Sequence, residues 1–493
     1  MRALWALLFC VHPVWAEVLF EDLSHRLPQH IYAGGWEHFV GGGVAVFDCN
    51  ADGLPDLFAG GGVAPAALIV NEGDFRFAKG ALEPLTAVTG AYPIDKDADG
   101  ITDLFVLRVG TNVFLKGLGD CRFSDATKVW GLPDQDQWST AFTAWWQGTA
   151  PAPTLAVGNY VDRADPQGPF EACDHNVILH PGGDGYTAQP LAPGFCPLSI
   201  LAAEDARGRP ALRLSNDRHY YVKAGFEQMW DIGEARFLNE NDGWAEVALW
   251  GMGIASRDLT GDGRDEVMLT SMGDQLLQIA QGDGTYRAAP YEIGTYAQRP
   301  HTGGDGRPST GWHAEFADVN NDGLADLFIA KGNVDQMPGM ATRDPNNLLL
   351  QQPDGSFVET AAAAGVASLH RGRGAALADF DLDGRLDLVV VNRRAPMELY
   401  RNVSPETGHW LRVALRQPGG NRDAIGARIT LRAADRVQSV QQVIGGGHAG
   451  GQLLPRHFGL AQAQEAEVTV RWPDGSQSTR TLSASRTHLM MKP

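Results

Sequence analysis

Residues 318–330 read Asp-Val-Asn-Asn-Asp-Gly-Leu-Ala-Asp-Leu-Phe-Ile-Ala, which places oxygen-bearing side chains at positions 1, 3, 5 and 9 of a loop. Gly323 stands at position 6, where a sharp turn favours a residue without a Cβ. Oxygen ligands at alternating positions around such a turn suit Ca²⁺. An EF-hand loop would need a bidentate Glu at position 12, which here is Ile329. The stretch therefore predicts a calcium loop that leads into an apolar β-strand.

The same pattern occurs at four other places in the chain, each time before an apolar run. The proposed metal ligands, at positions 1, 3, 5 and 9 of the five copies, are Asp48, Asn50, Asp52 and Asp56; Asp95, Asp97, Asp99 and Asp103; Asp258, Thr260, Asp262 and Glu266; Asp318, Asn320, Asp322 and Asp326; and Asp379, Asp381, Asp383 and Asp387. One such loop is weak evidence, because Asp, Asn and Gly are ordinary turn residues. Five copies with a strand after each predict a repeated calcium site.

Two further copies have lost their ligands. Aligning their strands places position 1 at Trp146 and at Ala203, and in the second of these copies Arg207 falls at a ligand position. We expect neither loop to bind calcium. The seven loop starts follow one another at a mean spacing of about 55 residues, and a period of this size with several strands per unit is typical of a propeller. A solenoid built from the same units is the alternative.

The spacing predicts an all-β fold, a seven-bladed β-propeller over residues 17–404 with a small C-terminal β domain over residues 405–493. The last repeat ends near Arg401 without the closing strand that the sixth repeat has. Residues 18–22 resemble that strand, so we expect them to complete the last blade and close the ring. Alternating apolar and polar residues after position 410 predict half-buried strands in the second domain.

Residues 1–16 are typical of a secretory signal, with Arg2, a short apolar core and small residues up to Ala16. The apolar core is too short to span a membrane, and no later segment is long and apolar enough. We therefore expect a secreted protein, extracellular or periplasmic, after cleavage near Ala16.

The chain of 493 residues carries a formal net charge of −19, which disfavours nucleic acid as a partner. The proposed loops use much of this acidity. Arginines gather locally in the C-terminal part, at Arg412, Arg416, Arg422, Arg428, Arg432 and Arg436. Arginines at alternating strand positions usually form a solvated face, and a site for an anionic ligand is the alternative.

Four cysteines remain beyond the signal segment, and an even number in an exported chain suggests disulfides. Four cysteines allow three pairings, of which we favour Cys173 with Cys196 and Cys49 with Cys121. A zinc site is a weaker alternative, since the chain has no Cys-x-x-Cys pair.

The Asp-x-Asp/Asn-x-Asp-Gly-x-x-Asp loops resemble the FG-GAP repeats of integrin α-chain propellers. Residues 421–428, followed by His457-Phe458-Gly459-Leu460 and Val470-Arg471-Trp472-Pro473, resemble the ASPIC/UnbV domain. Repeats followed by this tail resemble the cartilage acidic protein family in a bacterial-type exported version. The resemblance implies a secreted calcium-binding propeller and no firmly assigned reaction. The tail departs from the family where Gly447-His448-Ala449-Gly450-Gly451 replaces an aromatic Gly-Tyr segment.

The leading functional hypothesis is a non-enzymatic binding or adhesion module for an extracellular protein or glycan, with calcium holding the blades rigid. One alternative is a hydrolase or quinone-dependent oxidoreductase with its site in the central channel. Another is a structural surface-layer component. The chain has no Gly-x-Ser-x-Gly and no His-Glu-x-x-His motif. Candidate ring-face residues, each more often a core side chain, are Trp145, Trp146, Trp250, Trp312, His313, His219, Tyr220, Tyr221 and His301.

Overall fold

The computed structural model describes residues 17–165, 172–183, 185–217, 225–296, 304–335 and 337–493, and these are almost entirely β-strands and turns. The strands up to residue 402 are β1 Phe20–Asp22, β2 Val44–Phe47, β3 Asp56–Ala59, β4 Ala67–Asn71, β5 Phe77–Lys79, β6 Val88–Ile94, β7 Asp103–Gly110, β8 Val113–Gly117, β9 Phe123–Asp125, β10 Gln137–Trp145, β11 Thr154–Asn159, β12 Asn176–Gly182, β13 Gly185–Leu191, β14 Pro197–Glu204, β15 Pro210–Asn216, β16 Gln228–Asp231, β17 Arg236–Phe237, β18 Gly251–Arg257, β19 Glu266–Ser271, β20 Leu276–Ala280, β21 Tyr286–Ala288, β22 Gly311–Ala317, β23 Asp326–Lys331, β24 Asn347–Gln351, β25 Phe357–Glu359, β26 Arg371–Ala378, β27 Asp387–Arg393 and β28 Glu398–Asn402.

The later strands are β29 His409–Arg416, β30 Arg428–Ala433, β31 Arg436–Gln441, β32 Gln452–Leu453, β33 Arg456–Ala461, β34 Glu465–Arg471, β35 Gln477–Ser483 and β36 Thr487–Met491. Helical structure in the described ranges is limited to α1 Ala361–Ala364 and short 3-10 turns at Ser24–Arg26, Trp36–His38, Glu240–Asp242 and Tyr291–Ile293. Within these ranges, no helix has the length and apolar character needed to cross a membrane.

Consecutive strands form antiparallel meanders of four, such as β2–β5, β14–β17, β18–β21 and β22–β25. Pairing between β7 and β10 joins the meanders β6–β9 and β10–β13 into one larger sheet. The innermost strands β2, β6, β10, β14, β18, β22 and β26 contact one another in that order, and β26 also contacts β2. The all-β propeller predicted from the repeats is confirmed, and the count of seven blades stays a prediction of the repeat spacing.

Strand β1 lies at the outer edge of the sheet formed by β26, β27 and β28. Phe20 pairs with Asn402 and Asp22 pairs with Tyr400 in an antiparallel register. The N-terminal strand therefore completes the last meander, as the missing closing strand predicted, and it does so over Phe20–Asp22 rather than over all of 18–22.

The propeller core lies between neighbouring sheets. Strand β2 is buried at every position, because both of its faces are covered. On one side, Val46 and Leu57 pack in the same cluster as Val389 and Leu399 of the last meander. The continuous apolar runs that follow the predicted loops are therefore the inner strands of sheets that face other sheets on both sides.

Two further sheets form from the C-terminal strands. In one, β29 lies between β33 and β36; in the other, the order is β31-β30-β34-β35. They enclose a core of their own, in which Leu411, Ile429, Val468 and Trp472 are fully buried. Strand β29 alternates between buried and half-buried positions, as its sequence predicts. The boundary between residues 404 and 405 stays a prediction.

Residues 444–453, here called the axial segment, leave these sheets and run along the propeller axis. Isolated bridges join the segment to four innermost strands, through the pairs Ala144–Ile444, Leu201–Gly445, Ile254–Gly447 and Ala91–Gly450. Its end, β32, then pairs in parallel with β2. A Cβ on Gly450 would lie 2.2 Å from the carbonyl oxygen of Val44, so the close approach requires glycine. The segment occupies part of the axis, where the enzyme hypothesis placed its site.

Both favoured disulfides are present, which confirms their pairing. Cys49 and Cys121 have Cα atoms 4.7 Å apart, and those of Cys173 and Cys196 are 5.1 Å apart. The first bridge ties the loop after β2 to the hairpin of β8 and β9, and so joins two neighbouring meanders.

Candidate metal-binding loops and the adjoining cavity

All five predicted loops lie between the first and second strands of a meander and share one internal geometry. In the loop at 318, the Asp318 carboxylate accepts a hydrogen bond from the Gly323 amide at 2.7 Å. The same bond from position 6 to position 1 occurs in the other four loops. Gly323 has a φ of +84°, a conformation that favours glycine, so the turn predicted at position 6 is present.

The carboxylate at position 9 ties each loop to the sheet. Asp387 accepts one hydrogen bond from the Phe380 amide at 2.9 Å and another from the Asn402 amide at 2.8 Å. Asp326 makes the equivalent pair of bonds with the amides of Val319 and Gln351. These side chains hold the loop against the third strand of the meander, in addition to any role as a ligand.

Two loops bring their carboxylates close enough to share one cation. Oxygen atoms of Asp95, Asp97 and Asp99 lie within 4.8 Å of one another, and so do oxygens of Asp379, Asp381 and Asp387. In each cluster, one buried oxygen at position 1, Oδ1 of Asp95 or Oδ1 of Asp379, has no hydrogen-bond partner among the described residues. A buried carboxylate oxygen without a partner is costly, and a bound cation would satisfy it. The residues of these two loops therefore fit a metal ion.

The loops at 48, 258 and 318 are less compact. Their carboxylates do not form such a cluster in the parts of the chain that the structure covers. Instead, Asn50 donates to Asp52 and Asn320 donates to Asp322 at 2.9 and 3.1 Å. A third cluster contains Asp56 with Cys49 and Cys121, but the disulfide removes both cysteines as ligands.

Burial raises the pKa of several loop carboxyl groups. The pKa of Asp318 rises to about 8 because the side chain is desolvated and because the charge of Asp322 is close. Desolvation also raises the pKa of Asp56 and Asp103 to about 7, and that of Asp95 to about 6. Carboxylates crowded into a buried site are poised to bind a divalent cation, which offsets their repulsion.

Basic side chains lie against both clusters. Lys116 contacts Asp97 and also Asp99, the latter at 2.7 Å. Arg401 contacts Asp381 at 2.7 Å. Asp97 and Asp99 are partly exposed, and solvent weakens their ion pairs with Lys116, so a divalent ion competes with these pairs readily. The side chain of Asp381 is only 11% exposed, so its pair with Arg401 is screened less.

In the loop that starts at Ala203, an arginine lies against the acidic side chains. Arg209 forms ion pairs with Asp205 at 2.9 Å and with Asp231 at 3.3 Å. In the loop that starts at Trp146, the indole packs against the apolar core. The absence of bound calcium in these two loops stays a prediction.

Arginines of the C-terminal sheets lie against the same end of the propeller as the loops. Arg412 lies 3.4 Å from Asp379, and Arg428 donates to Asp265 at 2.7 Å. Arg422 approaches the turn at Gly100. Of the six arginines, Arg432 is solvent-exposed. The expectation of a solvated arginine face is therefore wrong for most of this set, because the second group of sheets covers the acidic loops. These contacts were not predicted from the sequence. The sequence shows opposite charges in two distant regions, but it does not show that the two regions meet.

A cavity of about 530 Å³ lies between the loop end of the propeller and the C-terminal sheets. Of the described ring-face candidates, His313 lines it, whereas Trp145, Trp146, Trp250 and Trp312 pack in apolar clusters. Trp312 lies against His448 of the axial segment, with ring centroids 4.9 Å apart. The other candidates, His219, Tyr220, Tyr221 and His301, lie outside the described residues.

Two family models match the chain. Residues 258–329 match the FG-GAP-like repeat family, and residues 417–493 match the ASPIC and UnbV family. The first match covers two of the predicted loops, and the second covers most of the C-terminal sheets. The order of the two matched regions is the order that the sequence predicted.

Cartilage acidic protein 1 of Mus musculus is 26% identical to this chain over 180 residues, which is 36% of this chain and 27% of the relative. Its Xenopus tropicalis counterpart is 32% identical over 117 residues, or 23% of this chain and 18% of the relative. The chain thus spans about a quarter or less of the length of these curated relatives. A crystal structure of BBS1N in complex with ARL6DN, soaked with lead, aligns with a TM-score of 0.47 at 11% identity and covers 80% of this chain and 99% of that one.

Proposed function

The matches support membership of the cartilage acidic protein family, and from that premise we propose that the protein is an exported, calcium-binding β-propeller that recognises an extracellular protein or glycan. Two disulfides support an extracellular or periplasmic location, because such bonds persist in oxidising compartments. The proposed ligands are the side chains at positions 1, 3, 5 and 9 of the five loops.

One observation carries the calcium proposal. Each of two loops brings three carboxylates together, and in each loop one buried oxygen of these carboxylates has no hydrogen-bond partner among the described residues. All the donors are hard oxygens, which suit Ca²⁺ rather than a soft metal. When bound, the ion would supply positive charge that ties the two strands of the inner hairpin together. Asp379 and Asp95 would contribute from the end of one strand, and Asp387 and Asp103 from the start of the next.

Calcium in these loops would act on the surface that faces the C-terminal sheets. We place the recognition face at the opposite end of the propeller. The connections there include long segments, such as the one between β23 and β24, of which residues 332–335 and 337–346 are described. Long loops on a rigid scaffold commonly carry binding residues. The binding role therefore rests on calcium for rigidity and on the far loops for contact.

Thermal unfolding in calcium and in chelator tests the calcium proposal. Asp381→Asn removes a carboxylate from a gathered cluster, and Asp262→Asn is the matched control from a loop whose acids are not gathered. With a dissociation constant of ~10⁻⁴ M and millimolar calcium, each site adds about 1.4 kcal/mol to the free energy of unfolding. We expect Asp381→Asn to lose more of the calcium-dependent rise in melting temperature than Asp262→Asn.

An unchanged melting temperature of the natural protein in calcium would contradict the proposal, and the reverse order of the two variants would contradict the ranking. Equilibrium dialysis then counts the ions, and we expect no more than five per chain. A screen of glycans and envelope proteins, run with calcium and with chelator, tests recognition. Failure of every probe in both conditions would leave calcium binding as a structural device and contradict the recognition role.

A further inference from the structure

The cavity of about 530 Å³ between the loop end of the propeller and the C-terminal sheets is lined by an arginine, Arg257, that has no acidic partner within 4.0 Å among the described residues. Arg257, the last residue of β18, lines this cavity and is only 7% exposed. Among the described residues, its guanidinium group makes no hydrogen bond and forms no ion pair within 4.0 Å; the Phe458 ring lies beneath it at 5.6 Å. A buried cation costs free energy unless it is paired. The cavity therefore presents a buried positive charge whose hydrogen-bond donors are available to a ligand.

The nearest carboxylates are already engaged elsewhere. Asp265 accepts from Arg428 through one oxygen and from Ser256 through the other. Asp258 and Asp318 accept backbone amides of their own loops through both oxygens. The negative charges of these three acids stabilise the Arg257 cation at a distance, but none of them accepts a hydrogen bond from its guanidinium group.

A second arginine adds positive charge to the cavity wall. Arg456 lines the same cavity and is close enough for its charge and that of Arg257 to repel each other. Glu315 is also part of the wall, but Oε1 accepts from Gln452 at 2.7 Å and Oε2 accepts from the Leu377 amide at 3.1 Å. The guanidinium groups of Arg257 and Arg456 thus face a space whose nearest acids already have partners. Arg412 and Arg416 also line the cavity and are paired with Asp379 and Asp423.

We propose that this cavity binds a small organic anion, such as an acidic or phosphorylated sugar, with its carboxylate or phosphate group held by Arg257. The planar guanidinium presents paired N–H donors that match two oxygens of such a group. The volume exceeds the space that an inorganic ion needs and falls in the range of small-molecule sites. Arg456 supplies the second positive charge.

The proposed anion site depends on Arg257 and does not require calcium. Only the expected increase in anion affinity with calcium rests on the proposed function. Calcium in the loops at 258 and 318 would cancel the charge of the nearest carboxylates, so the anion should bind more tightly with calcium than in chelator. If anion binding is equal in both conditions, the site stands and its coupling to calcium fails.

Isothermal titration with glucuronate, glucose 6-phosphate and uncharged glucose tests the site. We expect at least one of the two anions to bind and glucose not to bind. Arg257→Gln should weaken binding by about tenfold or more, because it removes a charged hydrogen-bond donor. Arg287→Gln makes the same charge change at an exposed position and should leave binding unchanged. Arg257→Lys should retain part of the affinity.

The proposal is overturned if neither anion binds the natural protein in calcium or in chelator, or if Arg257→Gln binds as tightly as the natural protein. A second measurement needs no variant: crystals soaked in selenate would show an anomalous peak within hydrogen-bond distance of Arg257. Peaks elsewhere and none at this position would also overturn the proposal.

Discussion

At the scale of single residues, the acids of each loop divide into two kinds. Position 9 is buried and its oxygens accept backbone amides, as for Asp387 with Phe380 and Asn402. Positions 3 and 5 are more exposed and meet basic side chains, as Asp381 meets Arg401. The sequence could predict all four positions from their spacing. It could not predict that position 9 also fixes the loop to the sheet, because the bonded residue of the third strand lies 15 residues after Asp387 and 25 residues after Asp326.

His448 is the residue whose charge state the fold constrains most clearly. It is fully buried on the propeller axis, and its backbone amide donates to His313 Nδ1 at 3.2 Å. Burial, with a smaller effect from the charge of Arg373, lowers the pKa of His448 to about 3. The unfolded chain would titrate near 6.5. Between these two pKa values, His448 is therefore neutral in the native state and protonated in the unfolded state.

Above pH 6.5, His448 is neutral in both states and contributes no pH dependence. As the pH falls from 6.5 toward 3, only the unfolded chain gains the proton, so the free energy of unfolding decreases. Between about pH 7.5 and about pH 5.5 we expect a loss of about 1.4 kcal/mol from this residue. Urea unfolding of the natural protein and of His448→Gln at both pH values measures it.

For each protein, the quantity to compare is the change in the free energy of unfolding between the two pH values. The other titratable groups are the same in the natural protein and in the variant, so their contribution cancels. His448→Gln should show a smaller loss than the natural protein, whatever its absolute stability. His488→Gln, at a site near the chain end and outside the axis, is the control and should behave like the natural protein. Equal losses in all three proteins would show that His448 titrates normally.

At the scale of elements, closure by β1 was predictable and the axial segment was not. The repeat exposes a missing strand after Arg401, and an unassigned strand at the other end of the chain supplies it. The glycines at 445–447 and 450–451 could be read only as a flexible connection. Glycine is required at these positions because the backbone of distant inner strands comes close, as that of Val44 does to Gly450. No local sequence pattern shows such an approach.

The closing strand gives an element-scale prediction. Leu23 donates to the Leu399 carbonyl and Val403 donates to the Leu19 carbonyl, both at 2.8 Å. Because hydrogen-bonded pairs alternate along an antiparallel ladder, Glu21 and Arg401 form the bonded pair between them. Glu21→Pro removes that donor, and we expect it to lower the free energy of unfolding by at least about 1 kcal/mol.

Glu21→Ala is the matched control, because it removes the exposed carboxylate and keeps the amide. It should change stability by less than about 0.5 kcal/mol. Denaturant unfolding gives both values, and hydrogen exchange at β28 should rise in the proline variant only. If the proline variant matches the alanine variant, the pairing of β1 contributes nothing to closure.

At the scale of the whole molecule, the charge pattern explains how the two groups of sheets meet. The chain has a net charge of −19, while its C-terminal part gathers arginines. The propeller turns its acidic loops toward those arginines. Sequence alone showed both charge sets and could not orient them, since either could have faced solvent. The arginines therefore neutralise part of this acidic surface, and the proposed calcium ions would neutralise more of it.

Arg428 tests this arrangement, because it connects both parts in a buried position. Its guanidinium group donates to Asp265 at 2.7 Å and to Glu204 at 3.2 Å, and Asp265 belongs to the loop at 258. Arg428→Gln leaves Asp265 without this cation, whereas Glu204 keeps its ion pair with Arg471 at 2.6 Å. Breaking a buried pair in this way costs about 3 kcal/mol. Arg432→Gln makes the same change on the same strand at an exposed position and should cost less than about 0.5 kcal/mol.

The two variants also separate docking from simple destabilisation. If Arg428 holds the loop at 258 in its binding shape, Arg428→Gln should raise hydrogen exchange over residues 258–266 and reduce the calcium-dependent rise in melting temperature. Arg432→Gln should leave both unchanged. If Arg428→Gln is less stable but hydrogen exchange in this loop is normal, Arg428 stabilises the fold without shaping the loop at 258. Unchanged stability would mean that the acidic loops and the arginines do not neutralise each other.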